Sequence, residues 1–142
     1  MRTSSDSSAF QGLTLLERGW LSSNNIVLHG DGSGAVLIDS SHCLHADQTV
    51  ALITHALGSE PLVRLVNTHL HSDHCGGNAA VQQRWACAVS VPAGQFEAAL
   101  HWREVDLSFL ATGQQCQRFV PTDSIRQGDF VEVGQRRWQV LS

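Results

Sequence analysis

The sequence predicts an α/β fold, classed α+β in some schemes, and three features carry that expectation. Short apolar runs near the start are separated by a glycine-rich turn, as in a meander of strands. An amphipathic segment over 46–57 is followed at once by a buried-looking run over 62–66. A second helical segment over 78–85 leads into another apolar run over 88–91, so the middle of the chain reads strand, loop, helix, strand.

Taken in order, residues 1–11 are polar and serine-rich and are expected to form a flexible tail, with one domain over 12–142. Apolar runs over 13–21, 25–29 and 35–39 read as strands, the last two joined by the turn Gly30-Asp31-Gly32-Ser33-Gly34. That turn is not a dinucleotide fingerprint, because the fingerprint needs a helix directly after its glycines and Ala35-Val36-Leu37-Ile38-Asp39 is a strand. Val50, Ile53, Thr54 and Leu57 mark one face of a helix over 46–57, which Gly58 stops. The strand over 62–66 ends at Asn67-Thr68, and Gly76-Gly77 lets the backbone turn tightly into the helix over 78–85. After the strand at 88–91 and Pro92, a third helix is expected over 95–105. Residues 106–123 carry a mixed pattern, and 130–133 with 137–141 form a closing hairpin around Gly134.

Composition removes several classes of function. With 42% apolar and 15% charged residues, the 142-residue chain can build one globular core and is not of the disordered kind. The formal charge is −4 and the nine basic residues are scattered arginines, so no footprint for nucleic acid is present. The absence of lysine excludes a P-loop lysine and a Schiff-base lysine. No apolar run is long enough to span a membrane and no signal-like h-region opens the chain, so the expectation is a soluble, unexported, cytoplasmic protein. Four separated cysteines without a C-x-x-C pair fit reduced thiols in that compartment.

The eight histidines are an unusual share, and three of them fall in one string, His69-Leu70-His71-Ser72-Asp73-His74. Four metal donors within six positions, directly after a strand, are a strong signal. In extended backbone, residues two apart face the same side, so His69 and His71 can reach one ion together. Asp73 and His74 follow where the chain has left the strand and can turn toward a second ion. The adjoining glycines allow the close backbone approach that a metal-wrapping loop needs.

Thr68-His69-Leu70-His71-Ser72-Asp73-His74-Cys75-Gly76-Gly77 resembles the signature of the metallo-β-lactamase superfamily, in the form shown by its glyoxalase II-like branch. The similarity in element order extends over nearly the whole chain and includes a strand ending in Asp39. It implies a four-layer αββα sandwich, of which this chain is expected to be the N-terminal half. It also implies two Zn2+ ions in the complete enzyme, with His69 and His71 on the first and Asp73 and His74 on the second, iron being the other candidate metal. Asp39 and Thr68 are expected to support the ligands from behind, Asp39 as an acceptor for loop N–H groups or a ligand imidazole. His42, Cys43 and His45 are expected near the site without ligating, Cys75 occupies a variable position, and His101-Trp102 reads as packing, with a substrate-facing role as the alternative.

Such proteins take a third site-one histidine, a bridging aspartate and a final histidine from beyond a strand like 137–141, so the expected domain over 12–142 is truncated at its C-terminus. The function expected of the complete enzyme is hydrolysis of a small ester, thioester, lactone or β-lactam-like substrate through a metal-bound hydroxide that Asp73 helps to orient. Two other classes remain open at this stage: an iron-dependent oxidoreductase of the same superfamily, and a non-catalytic metal-binding fragment. The partners expected are a small-molecule substrate and, as one way of completing the sandwich, a second copy of the chain. No nucleic acid and no membrane are expected.

Overall fold

The computed structural model describes residues 12–19, 22–107 and 109–141, so the tail expected over 1–11 lies outside the described residues. In chain order the elements are β1 (Leu13–Leu16), β2 (Asn25–Leu28), β3 (Ala35–Ile38), α1 (Ala46–Leu57), β4 (Leu62–Val66), α2 (Ser72–Cys75), α3 (Asn78–Trp85), β5 (Ala88–Pro92), α4 (Phe96–Leu100), α5 (Phe109–Thr112), β6 (Asp123–Ile125), β7 (Phe130–Val133) and β8 (Arg136–Gln139). Short 3-10 turns at Cys43–His45 and Ala93–Gln95 lead into α1 and α4.

Strands β1 to β6 form one sheet in sequence order, and β7 with β8 forms a separate hairpin. The first two pairings are antiparallel and the next three parallel, so β3, β4, β5 and β6 all run the same way. Parallel neighbours need crossovers, which α1 supplies between β3 and β4, and α2 with α3 between β4 and β5. Both faces of these strands are apolar, as expected of a sheet covered on two sides. Val27, Leu37, Leu65, Val89 and Val91 join Ile53, Leu57, Val81, Ala98 and Ala99 of the helices in the larger core. The alternate residues Leu28, Val36 and Val66 face Val131 and Val133 of the hairpin in a smaller one, fringed by the half-buried Ile26, Ile38 and Trp138. Helices, sheet and hairpin thus supply three successive layers of mixed α/β architecture.

Helices α1 and α3 and strand β4 occupy the expected residues, while other elements differ from the sequence pattern for identifiable reasons. The first strand ends at Leu16 instead of running to 21. Thr49, not Thr54, lies on the buried face of α1, because the Thr49 hydroxyl accepts from Arg18 Nη1 (2.7 Å) and donates to the His45 carbonyl (3.0 Å). The helix expected over 95–105 stops at Leu100. Trp102 there takes a left-handed φ of 52° and stacks its ring near Phe109 and Phe119, 5.9 and 5.4 Å between centroids. Burying an aromatic cluster outweighs another turn of helix. Strand β6 lies inside the stretch of mixed pattern; three residues are too few to show a period, and its place at the sheet edge comes from pairing with β5. Among the described residues no helix is long and apolar enough to cross a membrane.

Candidate metal centre

The histidine string begins where β4 ends. Asp39 N donates to Val66 O (2.9 Å), so the C-terminal ends of the parallel neighbours β3 and β4 lie side by side, the edge at which such sheets gather ligands. Asp39 follows β3 in a left-handed conformation (φ 60°), and Ser41 does the same (φ 66°). That double turn swings the chain under the loop from Thr68 to Cys75. Gly76 and Gly77 allow the two segments to close on each other. A Cβ on Gly76 would sit 2.3 Å from Cys43 N, and one on Gly77 2.3 Å from Ser40 O. The close approach expected at the glycine pair is therefore made by the 40–43 backbone.

Asp39 is buried and bonds the loop through both oxygens. Oδ1 accepts from Thr68 N (2.9 Å), and Oδ2 accepts from Thr68 Oγ1 (2.8 Å) and lies 2.8 Å from His74 Nδ1. Thr68 Oγ1 is also 3.1 Å from His69 Nδ1. Both imidazoles are thus approached at Nδ1, and His74 Nε2 faces the Asp73 carboxylate at 3.5 Å. The hydrogen bond to Asp39 raises the His74 pKa above the ordinary imidazole value against the opposing effect of burial. His69 moves the other way: burial lowers its pKa, and the neighbouring His74 and His71 lower it further.

The three rings are close neighbours. His69 and His71 meet edge-on at 4.7 Å between centroids, and His69 and His74 lie 3.9 Å apart at a tilt. Residues 67–71 have left the strand, so the loop folds back and His69 has both His71 and His74 against its ring. Among the described residues no three His, Cys, Asp or Glu side chains are placed to hold a single ion, so the four predicted donors are gathered without converging on one point. Their chemistry nevertheless suits a divalent transition metal. Imidazole and carboxylate are zinc and iron donors, and two atoms bound at roughly 2.0–2.1 Å around a tetrahedral ion lie roughly 3.3 Å apart. The 3.5 Å between His74 Nε2 and Asp73 Oδ2 matches that edge. An imidazole held by a carboxylate at one nitrogen is also oriented to ligate through the other.

Sequence reasoning missed the polar network beneath the loop. Asn67 and Asn78, both fully buried, pair amide to amide (Asn78 Nδ2 to Asn67 Oδ1, 2.6 Å), and Asn67 Nδ2 donates to the His74 carbonyl at 3.1 Å. Ser40 Oγ donates to Asn78 Oδ1 (2.6 Å) and accepts from Gly77 N (3.1 Å). Farther out, Arg18 Nη1 donates to Asn25 Oδ1 (2.8 Å) and Ser41 Oγ (3.1 Å), and Asn25 Nδ2 donates to the Asp39 carbonyl at 3.0 Å. Burial lowers the Arg18 pKa. The one signal available was the run of polar residues at strand ends, which an apolar-periodicity reading passes over. Of the other expected neighbours, His42 accepts from Leu44 N (3.1 Å) and lines a cleft of about 380 Å3 with Asp73. Cys43 contacts Gln115, whereas His45 and His101 are exposed.

A family model for the metallo-β-lactamase superfamily matches residues 18–141. The chain belongs to that superfamily. The solved structures it resembles include a metallo-β-lactamase of Cronobacter sakazakii with a HARLDQ motif (17% identity, TM-score 0.73, covering 95% of this chain and 53% of that one). The FEZ-1 metallo-β-lactamase of Legionella gormanii is similar at 18% identity and TM-score 0.72, over 89% of this chain and 48% of its own. MIM-1 of Novosphingobium pentaromativorans is similar at 21% identity and TM-score 0.74, over 90% and 46%. The superfamily chain described here therefore spans about half the length of these structures. No curated protein sequence matches it. The expected metallo-β-lactamase fold, and its expression here as one sheet with its helices and a following hairpin, agree with this likeness.

Proposed function

We propose that this chain carries the metal loop of a hydrolase acting on a small ester, thioester, lactone or β-lactam-like substrate, with a binuclear zinc site in the complete enzyme. The observation that carries the reading is the crowding of three imidazoles and one carboxylate into residues 69–74 above the Asp39 anchor. His69 and His71 would hold the first ion, and Asp73 and His74 the second. Zinc, when bound, makes water more acidic and polarises a carbonyl.

The protein's own residues supply the remainder. Asp39 fixes the His74 ring, Thr68 ties the start of the loop to the same carboxylate, and burial favours a neutral, ligating His69. Asp73 stands on the open side, where it would orient the attacking water toward the substrate carbonyl. The cleft beside it, walled by His42, Leu44, Ser72, Gln114 and Gln115, has the size of a small-molecule pocket at about 380 Å3.

The test is zinc content and turnover of an ester, a thioester, a lactone and a β-lactam by the protein that carries this chain. His69→Ala is expected to lose both. Undiminished turnover in His69→Ala, or in protein stripped of metal, would overturn the reading.

A further inference from the structure

Three of the four cysteines lie in or beside the metal loop, although none of them is among its predicted metal donors. Cys75, on α2 and fully buried, has its Sγ 3.7 Å from Cys116 Sγ, a residue 41 positions later. Cys116 Sγ also points at the Cys75 carbonyl (3.6 Å). Cys43 is the third, but its Sγ is turned to the Gln115 carbonyl at 3.3 Å. Cys87 is buried in the helix-side core, to which Cys75 also belongs.

The two facing thiols differ in access. Cys116 is partly exposed and lines a cleft of about 500 Å3, whereas Cys75 is buried behind it and lines no part of that cleft. A disulfide needs its sulfurs at about 2.0 Å, so closing this pair asks for an approach of about 1.7 Å. Residues 114–122 belong to no helix or strand, and an irregular surface segment can move that far more cheaply than packed core.

We propose that Cys75 and Cys116 form an oxidation site that takes a hydroperoxide. Cys116 Sγ attacks one peroxide oxygen and the O–O bond breaks, giving the Cys116 sulfenic acid and releasing water (from hydrogen peroxide) or an alcohol. Cys75 Sγ then attacks the sulfenic sulfur, the S–O bond breaks, and the oxygen leaves as water, taking up the Cys75 thiol proton. Two electrons and two thiol protons pass to the peroxide, and one S–S bond forms. The bridge ties the helical turn that carries Asp73 and His74 to the Gln114–Gln115 wall of the adjoining cleft. The inference stands on sulfur geometry and does not depend on the metal reading.

The full chain, treated with one equivalent of hydrogen peroxide, is expected to fall from four titratable thiols to two. Trypsin can cut only after arginine here, so each cysteine lies on its own peptide: 19–64, 65–84, 85–103 and 104–118. The expected bridged product joins 65–84 to 104–118, is reversed by dithiothreitol, and raises Tm by on the order of 10 °C. Cys43→Ser should keep the bridge and Cys116→Ser should lose it, the latter substitution falling on the more exposed partner. A bridge joining 19–64 to 104–118, sulfinic acid at Cys116, or four thiols surviving the treatment would each overturn the proposal.

Discussion

Two histidine–carboxylate pairs stand at opposite ends of the main sheet and are built alike. At the metal-loop end His74 meets Asp39 at 2.8 Å and Asp39 also receives the Thr68 hydroxyl; at the other end His29 meets Glu60 at 2.8 Å and the Thr14 hydroxyl lies 2.8 Å from the ring. Side-chain exposure hardly distinguishes them, at 24% and 6% for His74 and Asp39 against 23% and 11% for His29 and Glu60. The difference lies in the second ring nitrogen. His29 Nε2 faces Thr14, so both its nitrogens are engaged within the protein and the ring fastens β1 to the start of β4. His74 Nε2 faces another anionic donor and a second imidazole instead. A buried imidazole–carboxylate pair therefore marks a ligand site only when its outer nitrogen has neighbours that would also bind a metal.

Substitutions at the two ends should separate on that basis. The largest effect is expected from His74→Ala, which should lower zinc affinity by on the order of 100-fold in calorimetric titration, while His29→Ala leaves it within about twofold. Equal losses would erase the distinction. Next comes Asp39→Asn, which keeps the shape of the anchor but removes its charge; a loss of about tenfold in zinc affinity is expected, and no loss would mean that His74 is oriented by something else. On stability the ranking reverses. His29→Ala leaves a part-buried Glu60 with only the Gly30 N–H, and should cost about 1–3 kcal/mol in urea unfolding. The smallest change is expected of Thr14→Val, about 1 kcal/mol or less, because Thr14 is half-buried and the remaining His29–Glu60 contact is intact.

How far such contrasts could be read from the sequence depends on the range of the forces involved. Helices α1 and α3 and strand β4 are set by local apolar period and by Gly58 and Gly76-Gly77 at their ends, and those bounds were legible. The His69-to-His74 string was legible because its spacing is local too. The superfamily followed from it, and the family match agrees. What the pattern did not reveal depends on partners distant in the chain. Trp102 ends α4 to reach Phe119, Thr49 turns inward to meet Arg18, and β6 exists because β5 offers an edge. Likewise Ser40, Asn67 and Asn78 look like ordinary loop polars until three separate segments bring them together in one buried, mutually hydrogen-bonded group.

The backbone at Asp39 has a consequence for how this position can vary. A non-glycine residue at φ 60° sits in conformational space that costs on the order of 1 kcal/mol, and glycine would relieve that cost. Glycine would also delete the carboxylate on which Thr68 and His74 hang. A library randomised at position 39 should accordingly return aspartate, with asparagine next and glycine behind both, under screens for heat tolerance and for metal retention alike, because three hydrogen bonds to a buried carboxylate outweigh that backbone cost.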